Sequence, residues 1–451
     1  MIDYSNSPIK YDIDFILKNA INNHAKYKYE IEIHNEKASF QPDLFVHYEK
    51  KRDYLDSIGD EICIIVRISA SNYMKYINEF KSTLEVHMVK KLNSNNEIIQ
   101  TYKYKAFIIR NTAEDNKELF ETTNPKNLDR SLIVELELQL VDKDIYNLID
   151  ITTDGVYNNA KLYDVTFIKL KEAISKINYN EKNTMINIDI VPFHNNAIYS
   201  EIVIPSGTKI LSLPTKLQED PKHGLYNSGV GTYIQTYKNN KYIYVYPHYS
   251  TERYKDTKYK LMMFRGRDNS IGIGEKTYCI DGNILKILPE FNYNLIDNGA
   301  KLLSKTNNEL VIGDMDKQLK NIDGLDEKEL SIKEPNVKSY NEIKYKDGTR
   351  NPIYLGAMNN KYNVRAKQLK ETTGIYSFKW NNSNIDNIYP AMPCKYIFTD
   401  NTGNLVELTG NVISTAEVYE PHNKITTGIV NIMVNSYEIY KHNLLNKDMS
   451  K

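Results

Sequence analysis

Alternation of apolar and polar residues is the feature that most narrows what this chain can fold into. From Leu132 to Leu140 every second residue is leucine or valine, with Glu135, Glu137 and Gln139 between them. Successive side chains of a strand point to opposite faces, so the pattern predicts a strand with one buried face. Three further segments of the first 150 residues predict strands: Glu61–Ser69, Leu84–Val89 and Tyr102–Ile109. Several strands separated by polar turns predict an antiparallel barrel or sandwich.

The periodicity becomes helical after Asp154-Gly155. Leu170, Ala173, Ile174 and Ile177 recur at helical spacing, which predicts an amphipathic helix over residues 162–177. A strand is predicted over 184–191. This middle part of the chain is therefore expected to be α+β.

A tyrosine-rich hairpin is the clearest local element of the chain. Tyr233–Tyr237 and Tyr242–Tyr246 are joined by four polar residues, 238–241, and Tyr242, Tyr244 and Tyr246 share one face. Upstream, the apolar residues 210–217 predict a short helix. Pro214 fits that helix only in its first turn.

The last part of the chain returns to strand patterns. Strands are predicted over 394–399, 405–409, 411–418 and 426–434. The strongly charged stretch Leu310–Asp347 predicts an irregular connection or exposed excursion. The resulting fold class is mainly β with an α+β middle: two antiparallel β-barrel-like domains plus smaller α+β domains. The predicted boundaries are 1–150 for the first barrel-like domain, 151–250 for the middle domain that ends in the hairpin, 251–345 for a mixed strand and irregular region, 346–440 for the second barrel-like domain and 441–451 for a polar tail.

Bulk properties exclude several classes of protein. The 451 residues favour about three domains, and the 58 basic and 58 acidic residues balance, which disfavours a nucleic-acid binder. The pairs Lys51-Arg52 and Lys90-Lys91 are interpreted as solvated. No apolar run approaches the length of a membrane span, and the first ten residues do not resemble a signal peptide, so synthesis and folding in a cytoplasm are expected. Three distant cysteines predict neither a disulfide framework nor a cysteine-based zinc site.

No recognised catalytic motif occurs in the sequence. Gly272 and Gly274 lack the third glycine of a dinucleotide fingerprint and are interpreted as a turn. Cys394 with His422 could be cast as nucleophile and base of a cell-wall amidase, but a buried thiol explains Cys394 better. Trp380 and the tyrosines could bind sugars, although packing explains them better. The nine histidines are scattered, and a metal site assembled from distant positions stays open. The sequence thus nominates no catalytic, cofactor-binding or metal-ligating residue, no cofactor, and no enzymatic activity.

The central motifs resemble those of bacteriophage baseplate hub proteins, the family that adapts the tail tube to the central spike in contractile tails. Asp154–Ala160 followed by a helix resembles the stretch where such proteins leave their first barrel. Ile202–Pro205, His223–Tyr226 and the hairpin up to Pro247 resemble their middle domain. The early strand Asp60–Ser69 and the late strands around Phe398–Asp400 and Leu408–Gly410 match the two barrels. The chain departs from the pattern of that family at two places, namely at Pro214 and in the charged stretch Leu310–Asp347.

The resemblance implies a virion part in the tail baseplate, assembled in the host cytoplasm. It implies a homotrimer whose two similar barrels per subunit form a quasi-sixfold ring, with a channel through which DNA only passes. Its implied partners are the tail tube protein, the central spike or tail lysozyme protein and other baseplate proteins, without a membrane. Two alternatives stay open: a tail-associated cell-wall hydrolase, and a peripheral receptor- or glycan-binding tail protein.

Overall fold

The computed structural model describes a mainly β molecule with an α+β middle, as the sequence predicts. The described residues are 9–19, 27–115, 132–180, 186–251, 253–265, 277–296, 362, 366, 373–399, 404–422 and 425–435. Within these ranges no helix is both long and apolar enough to cross a membrane. The predicted excursion Leu310–Asp347, the glycines Gly272 and Gly274, and the tail 441–451 lie outside the described residues, and the predicted domain boundaries remain predictions.

Seven antiparallel strands form the first β domain. They are β1 (Tyr27–His34), β2 (Ser39–Phe40), β3 (Leu44–Asp53), β4 (Glu61–Ser69), β5 (Glu85–Leu92), β6 (Ile98–Asn111) and β7 (Ile133–Asp142). Their order is β3-β4-β7-β6-β5-β1-β2. The predicted alternation is confirmed, since Val134, Leu136, Leu138 and Leu140 of β7 are all buried in one core. Burying one face of each strand removes apolar area from water, at roughly 25 cal/mol per Å².

Six α-helices lie in the described ranges. They are α1 (Lys10–Asn19), α2 (Ala70–Tyr76), α3 (Thr112–Asp115), α4 (Lys143–Leu148), α5 (Leu162–Asn180) and α6 (Leu213–Glu219). The predicted amphipathic helix is confirmed as α5, whose stripe Leu170, Ala173, Ile174 and Ile177 is buried. Pro214 occupies the first turn of α6, where its missing N–H costs nothing, so the helix is not interrupted.

The middle part of the chain contains two small sheets packed on α5 and α6. Its strands are β8 (Thr152–Lys161), β9 (Ile186–Ile190), β10 (Ile198–Lys209), β11 (Val230–Tyr237) and β12 (Asn240–Pro247). β8 and β10 pair as a two-stranded ribbon, while β9 lies parallel to β12 of the predicted hairpin. Lys238 and Asn239 at the hairpin turn both have positive φ, at 48° and 65°, which matches the right-handed twist of the flanking strands.

Eight strands form the second β domain. They are β13 (Lys260–Arg265), β14 (Tyr278–Asp281), β15 (Ile284–Ile287), β16 (Phe291–Ile296), β17 (Thr373–Asn381), β18 (Pro393–Thr399), β19 (Leu405–Glu420) and β20 (Ile425–Asn435). Most pairings are antiparallel, but β13 runs parallel to both β15 and β18, which the sequence did not predict. Helix α1 packs here, with Ile13 and Ile16 against Phe264 and Ile397.

Strand β19 joins the two β domains into one sheet. Along one edge of β19, the first half pairs with β18 and the second half pairs with β3. Along its other edge, β19 pairs with β20. The two predicted strands 405–409 and 411–418 are therefore one strand of 16 residues. An irregularity between Val412 and Ser414 lets it change partners without a turn. At Gly410 a Cβ would lie 2.0 Å from the carbonyl oxygen of Met433, so only glycine fits.

Candidate functional site

The site that stands out lies where β3 and β19 meet. Six charged side chains are held there away from water, and we name them the ion cluster: Lys50, Arg52, Asp60, Lys90, Asp386 and Glu417. They come from both β domains, and they comprise three cations and three carboxylates. The formal charges of the cluster therefore cancel.

Strand alternation places the cations inside. On β3, Tyr48, Lys50 and Arg52 share the buried face, and the side chains of Lys50 and Arg52 are each only 1% exposed. On β5, Lys90 is fully buried. The interpretation of the pairs Lys51-Arg52 and Lys90-Lys91 as solvated is thus wrong for Arg52 and Lys90. Lys51 and Lys91 point outward, because neighbouring residues in a strand face opposite sides of the sheet.

Asp386 is the centre of the ion cluster. Its Oδ1 lies 3.0 Å from Lys50 Nζ and 2.8 Å from Arg52 Nη2, and its Oδ2 lies 2.8 Å from Lys90 Nζ. The hydroxyl of Tyr102 also donates to Oδ2, at 2.9 Å. One carboxylate of the second β domain thereby binds three cations of the first. Such charge-assisted bonds are about twice as strong as neutral ones.

Asp60 connects the ion cluster to the middle of the chain. It accepts a bond from Arg52 Nε at 3.0 Å, and its other oxygen lies 3.1 Å from Lys50 Nζ. The hydroxyl of Tyr233, on β11, donates to it at 3.0 Å. The first β domain and the hairpin are therefore held by the same carboxylate.

Glu417 completes the ion cluster from β19. Its Oε1 accepts from the hydroxyl of Tyr29 at 2.9 Å, and its Oε2 accepts from Ser383 Oγ at 3.2 Å and the Ile385 amide at 3.3 Å. Lys90 Nζ lies 3.9 Å away. Every carboxylate of the ion cluster thus has both a cation and a neutral donor, as a buried charge requires.

The lowered pKa values of Asp386 and Asp60 favour a structural role for the ion cluster. Desolvation alone would raise the pKa of Asp386, but the charges of Lys50, Lys90 and Arg52 hold that pKa well below its usual value. The pKa of Asp60 is lowered in the same way, since Arg52 and Lys50 outweigh its burial. Catalytic acids and bases need pKa values near the working pH. These carboxylates instead stay ionised, which suits a structural joint.

A second feature is a cleft of about 680 Å³ between the hairpin and the second β domain. Its lining includes Tyr237, Tyr244, Tyr389, Asp189 and Arg253. The rings of Tyr244 and Tyr389 stack with centroids 6.1 Å apart. Burial lowers the pKa of Arg253 and raises that of Asp189, so the cleft is a partly dry, aromatic environment.

The residues considered for enzymatic or sugar-binding roles are placed as follows. Cys394 is buried on β18, and burial raises its thiol pKa far above the usual value. Trp380 is fully buried, its Nε1 donates to Thr277 Oγ1 at 3.2 Å, and the ring of Tyr278 packs on it edge-on. His422 lies in the turn after β19. Cys394 therefore lacks the lowered pKa of a nucleophile, and Trp380 offers no surface to a sugar.

Sequence reasoning missed the ion cluster because its members are far apart in the chain. Lys90 and Asp386 are separated by 296 positions. The available signal was local: on β3, Lys50 and Arg52 fall on the same alternating face as Tyr48. Cations on the apolar face of a strand indicate buried partners.

Comparisons with known proteins give structural neighbours only. No protein-family model and no curated protein matches the chain. The tail protein from Neisseria meningitidis MC58 aligns with a TM-score of 0.45 and 10% identity, covering 90% of this chain and 96% of that one. The prophage MuSo2 43 kDa tail protein from Shewanella oneidensis aligns with a TM-score of 0.47 and 10% identity, covering 91% and 98%.

A third neighbour comes from a secretion machine. The E. coli c3393 protein, named as a component of the type VI secretion system, aligns with a TM-score of 0.41 and 8% identity, covering 89% of this chain and 76% of that one. The first two neighbours are named as tail proteins. These likenesses concern the fold.

Proposed function

We propose that this chain is a structural hub subunit of a phage tail baseplate. Its copies form a ring that joins the tail tube to the central spike and leaves a channel for DNA. This is the role that the sequence motifs imply, and the partners follow from it: the chain's own copies, the tube protein, the spike or tail lysozyme protein, and other baseplate proteins.

The observation that carries the proposal is the rigid connection between the two β domains. β3 and β19 pair over Ser414–Tyr419, and the ion cluster lies beside that pairing. Sliding one domain past the other would break the strand pairing and separate buried opposite charges, which costs several kcal/mol for each uncompensated ion. A hub that keeps its shape during tail contraction needs such a joint, whereas an enzyme that closes on its substrate needs a hinge.

Exposed apolar side chains supply a surface for neighbouring subunits. Val156 on β8 and Val203 on β10 lie directly across from each other and are 58% and 50% exposed, and within the described ranges this ribbon pairs with no other strand. Exposed apolar groups on an unpaired edge favour assembly, because a partner both covers them and completes the edge. The ribbon therefore supports an oligomeric part.

The alternatives have weaker support among the described residues. A hydrolase that used Cys394 would need a thiolate, and burial of that thiol opposes its ionisation. A glycan binder could not use Trp380, which is buried. The tyrosine-lined cleft is the remaining candidate surface for binding a glycan.

Native mass spectrometry and cryo-electron microscopy of the purified full chain test the proposal. We expect a threefold ring with a mass of three chains of 52.4 kDa each. A second test replaces an apolar residue of the ribbon by a charged one. The variant Val203→Lys should form less trimer, while its subunit stays folded. A stable monomer that clears peptidoglycan would overturn the proposal.

A further inference from the structure

On the outer face of the first β domain, two histidines and a glutamate meet across neighbouring strands. Glu32 and His34 lie on β1, and His87 lies on β5 directly across from Glu32. One ligand-capable atom from each of these three side chains lies within 4.8 Å of the other two. We propose that Glu32, His34 and His87 bind one divalent transition-metal cation of borderline softness, of the kind represented by Zn²⁺.

The chemistry of the three groups fits that class of cation. Two imidazole nitrogens and one carboxylate form a set that zinc proteins use when a coordination position stays open to water. Hard cations such as Ca²⁺ and Mg²⁺ prefer all-oxygen sites, so they are disfavoured here. Competition by thiols is limited, because Cys279 and Cys394 are buried and burial raises the pKa of the half-buried Cys63 thiol to about 11.

The geometry is close to that of a bound site. His34 Nε2 lies 3.1 Å from the Glu32 carboxylate, and the rings of His34 and His87 lie one over the other, with centroids 3.8 Å apart and planes tilted by 33°. Two ligands of a tetrahedral Zn²⁺ are about 3.3 Å apart, given Zn–N bonds of about 2.0 Å. The side chains of His34 and His87 are each 28% exposed, which leaves room for the His87 ring to turn toward a cation held by the other two groups.

The strands supply the rigidity that the side chains lack. β1 and β5 are paired over all eight residues of β1, from Tyr27 to His34. This pairing fixes the Cα positions of all three ligands, so little order has to be imposed when the cation binds.

Neighbouring charges limit the site without blocking it. Lys103 on β6 lies across from His87, and Lys143 Nζ pairs with Glu85 at 3.4 Å. The carboxylate of Glu32 offsets part of the cation's charge.

Isothermal titration of the full-length, untagged chain with ZnCl₂ tests the assignment. We expect one Zn²⁺ per chain, and for His34→Gln and His87→Gln separately an affinity at least about tenfold weaker, since loss of even an outer partner costs about 10- to 100-fold. His47→Gln is the matched control, a histidine of β3 outside the group, and should bind as the unaltered chain does.

A second readout separates lost binding from lost folding. Zn²⁺ should raise the Tm of the unaltered chain and of the His47→Gln variant, and leave the Tm of the two ligand variants unchanged, while all four proteins melt alike without metal. Absence of stoichiometric binding would overturn the assignment. So would Zn²⁺ binding that both His34→Gln and His87→Gln retain, because the ion would then lie elsewhere.

Discussion

Replacement of Asp386 by asparagine is the sharpest perturbation of the joint. Asn has nearly the same size but no charge, so Asp386→Asn leaves three buried cations facing only Asp60 and Glu417. The lost contacts are the ion pairs to Lys50, Arg52 and Lys90, at 2.8 to 3.0 Å. Removing one partner of a buried ion pair costs about 3–5 kcal/mol, and three cations share this one carboxylate, so we expect the upper part of that range.

Urea unfolding followed by the fluorescence of Trp380 measures this cost. Trp380 is the single tryptophan of the chain and is buried in the second β domain, which also carries Asp386. The expected fall in the urea midpoint is this loss of about 4 kcal/mol divided by the measured slope of the transition, which is about 1–3 kcal/mol per M for small proteins and increases with size.

A matched control compares the loss of a buried ion pair with the loss of an exposed one. Glu407→Gln removes the exposed pair between Lys395 and Glu407, whose atoms are 2.8 Å apart, and should cost about 0–1 kcal/mol. A similarly small effect of Asp386→Asn would refute the view that the ion cluster holds the domains together.

The remaining predictions concern acid, packing and thiols. Because the pKa of Asp386 is lower in the folded than in the unfolded chain, its stabilisation is present in full above the unfolded value of about 3.9 and is lost as the pH falls from there through the folded value. The difference between the urea midpoints of the unaltered chain and Asp386→Asn should therefore begin to shrink below about pH 4. Gly410→Ala forces a Cβ against the Met433 carbonyl and should lower stability by about 1–3 kcal/mol, measured as a drop in Tm. Cys394, whose thiol pKa is raised by burial, should resist iodoacetamide at pH 8 until urea unfolds the chain, as peptide mass spectrometry would show; rapid labelling of the native protein would contradict its placement.

Local periodicity predicted the strands and helices whose own sequence shows a regular apolar face. β4 has the predicted bounds Glu61–Ser69, and α5 begins at the predicted Leu162, because an apolar face at a regular period leaves one arrangement that buries it. The hairpin was predictable for the same reason, although its turn contains the two residues Lys238 and Asn239 rather than the predicted four.

Features that depend on distant partners were not predictable in this way. The sequence of β19 resembled two strands because Gly410 resembled a break between them, yet β18, β3 and β20 hold the whole segment extended. The parallel pairing of β13 with β18 joins segments about 130 residues apart, for which no local pattern exists. The ion cluster was hard to predict because its members come from distant segments. Its cations belong to regular strands, whereas its central carboxylate, Asp386, lies in a short 3₁₀ turn.

The position of this chain in an assembled particle tests the central proposal most directly. Cryo-electron microscopy of intact tails, with the chain located by a bound antibody fragment, would give its distance from the tail axis and its symmetry. We predict three copies on the axis, between the tail tube and the spike, with both β domains of each copy in one ring around the channel. Copies at the outer edge of the baseplate, away from the axis, would contradict the proposal and favour a receptor-binding role.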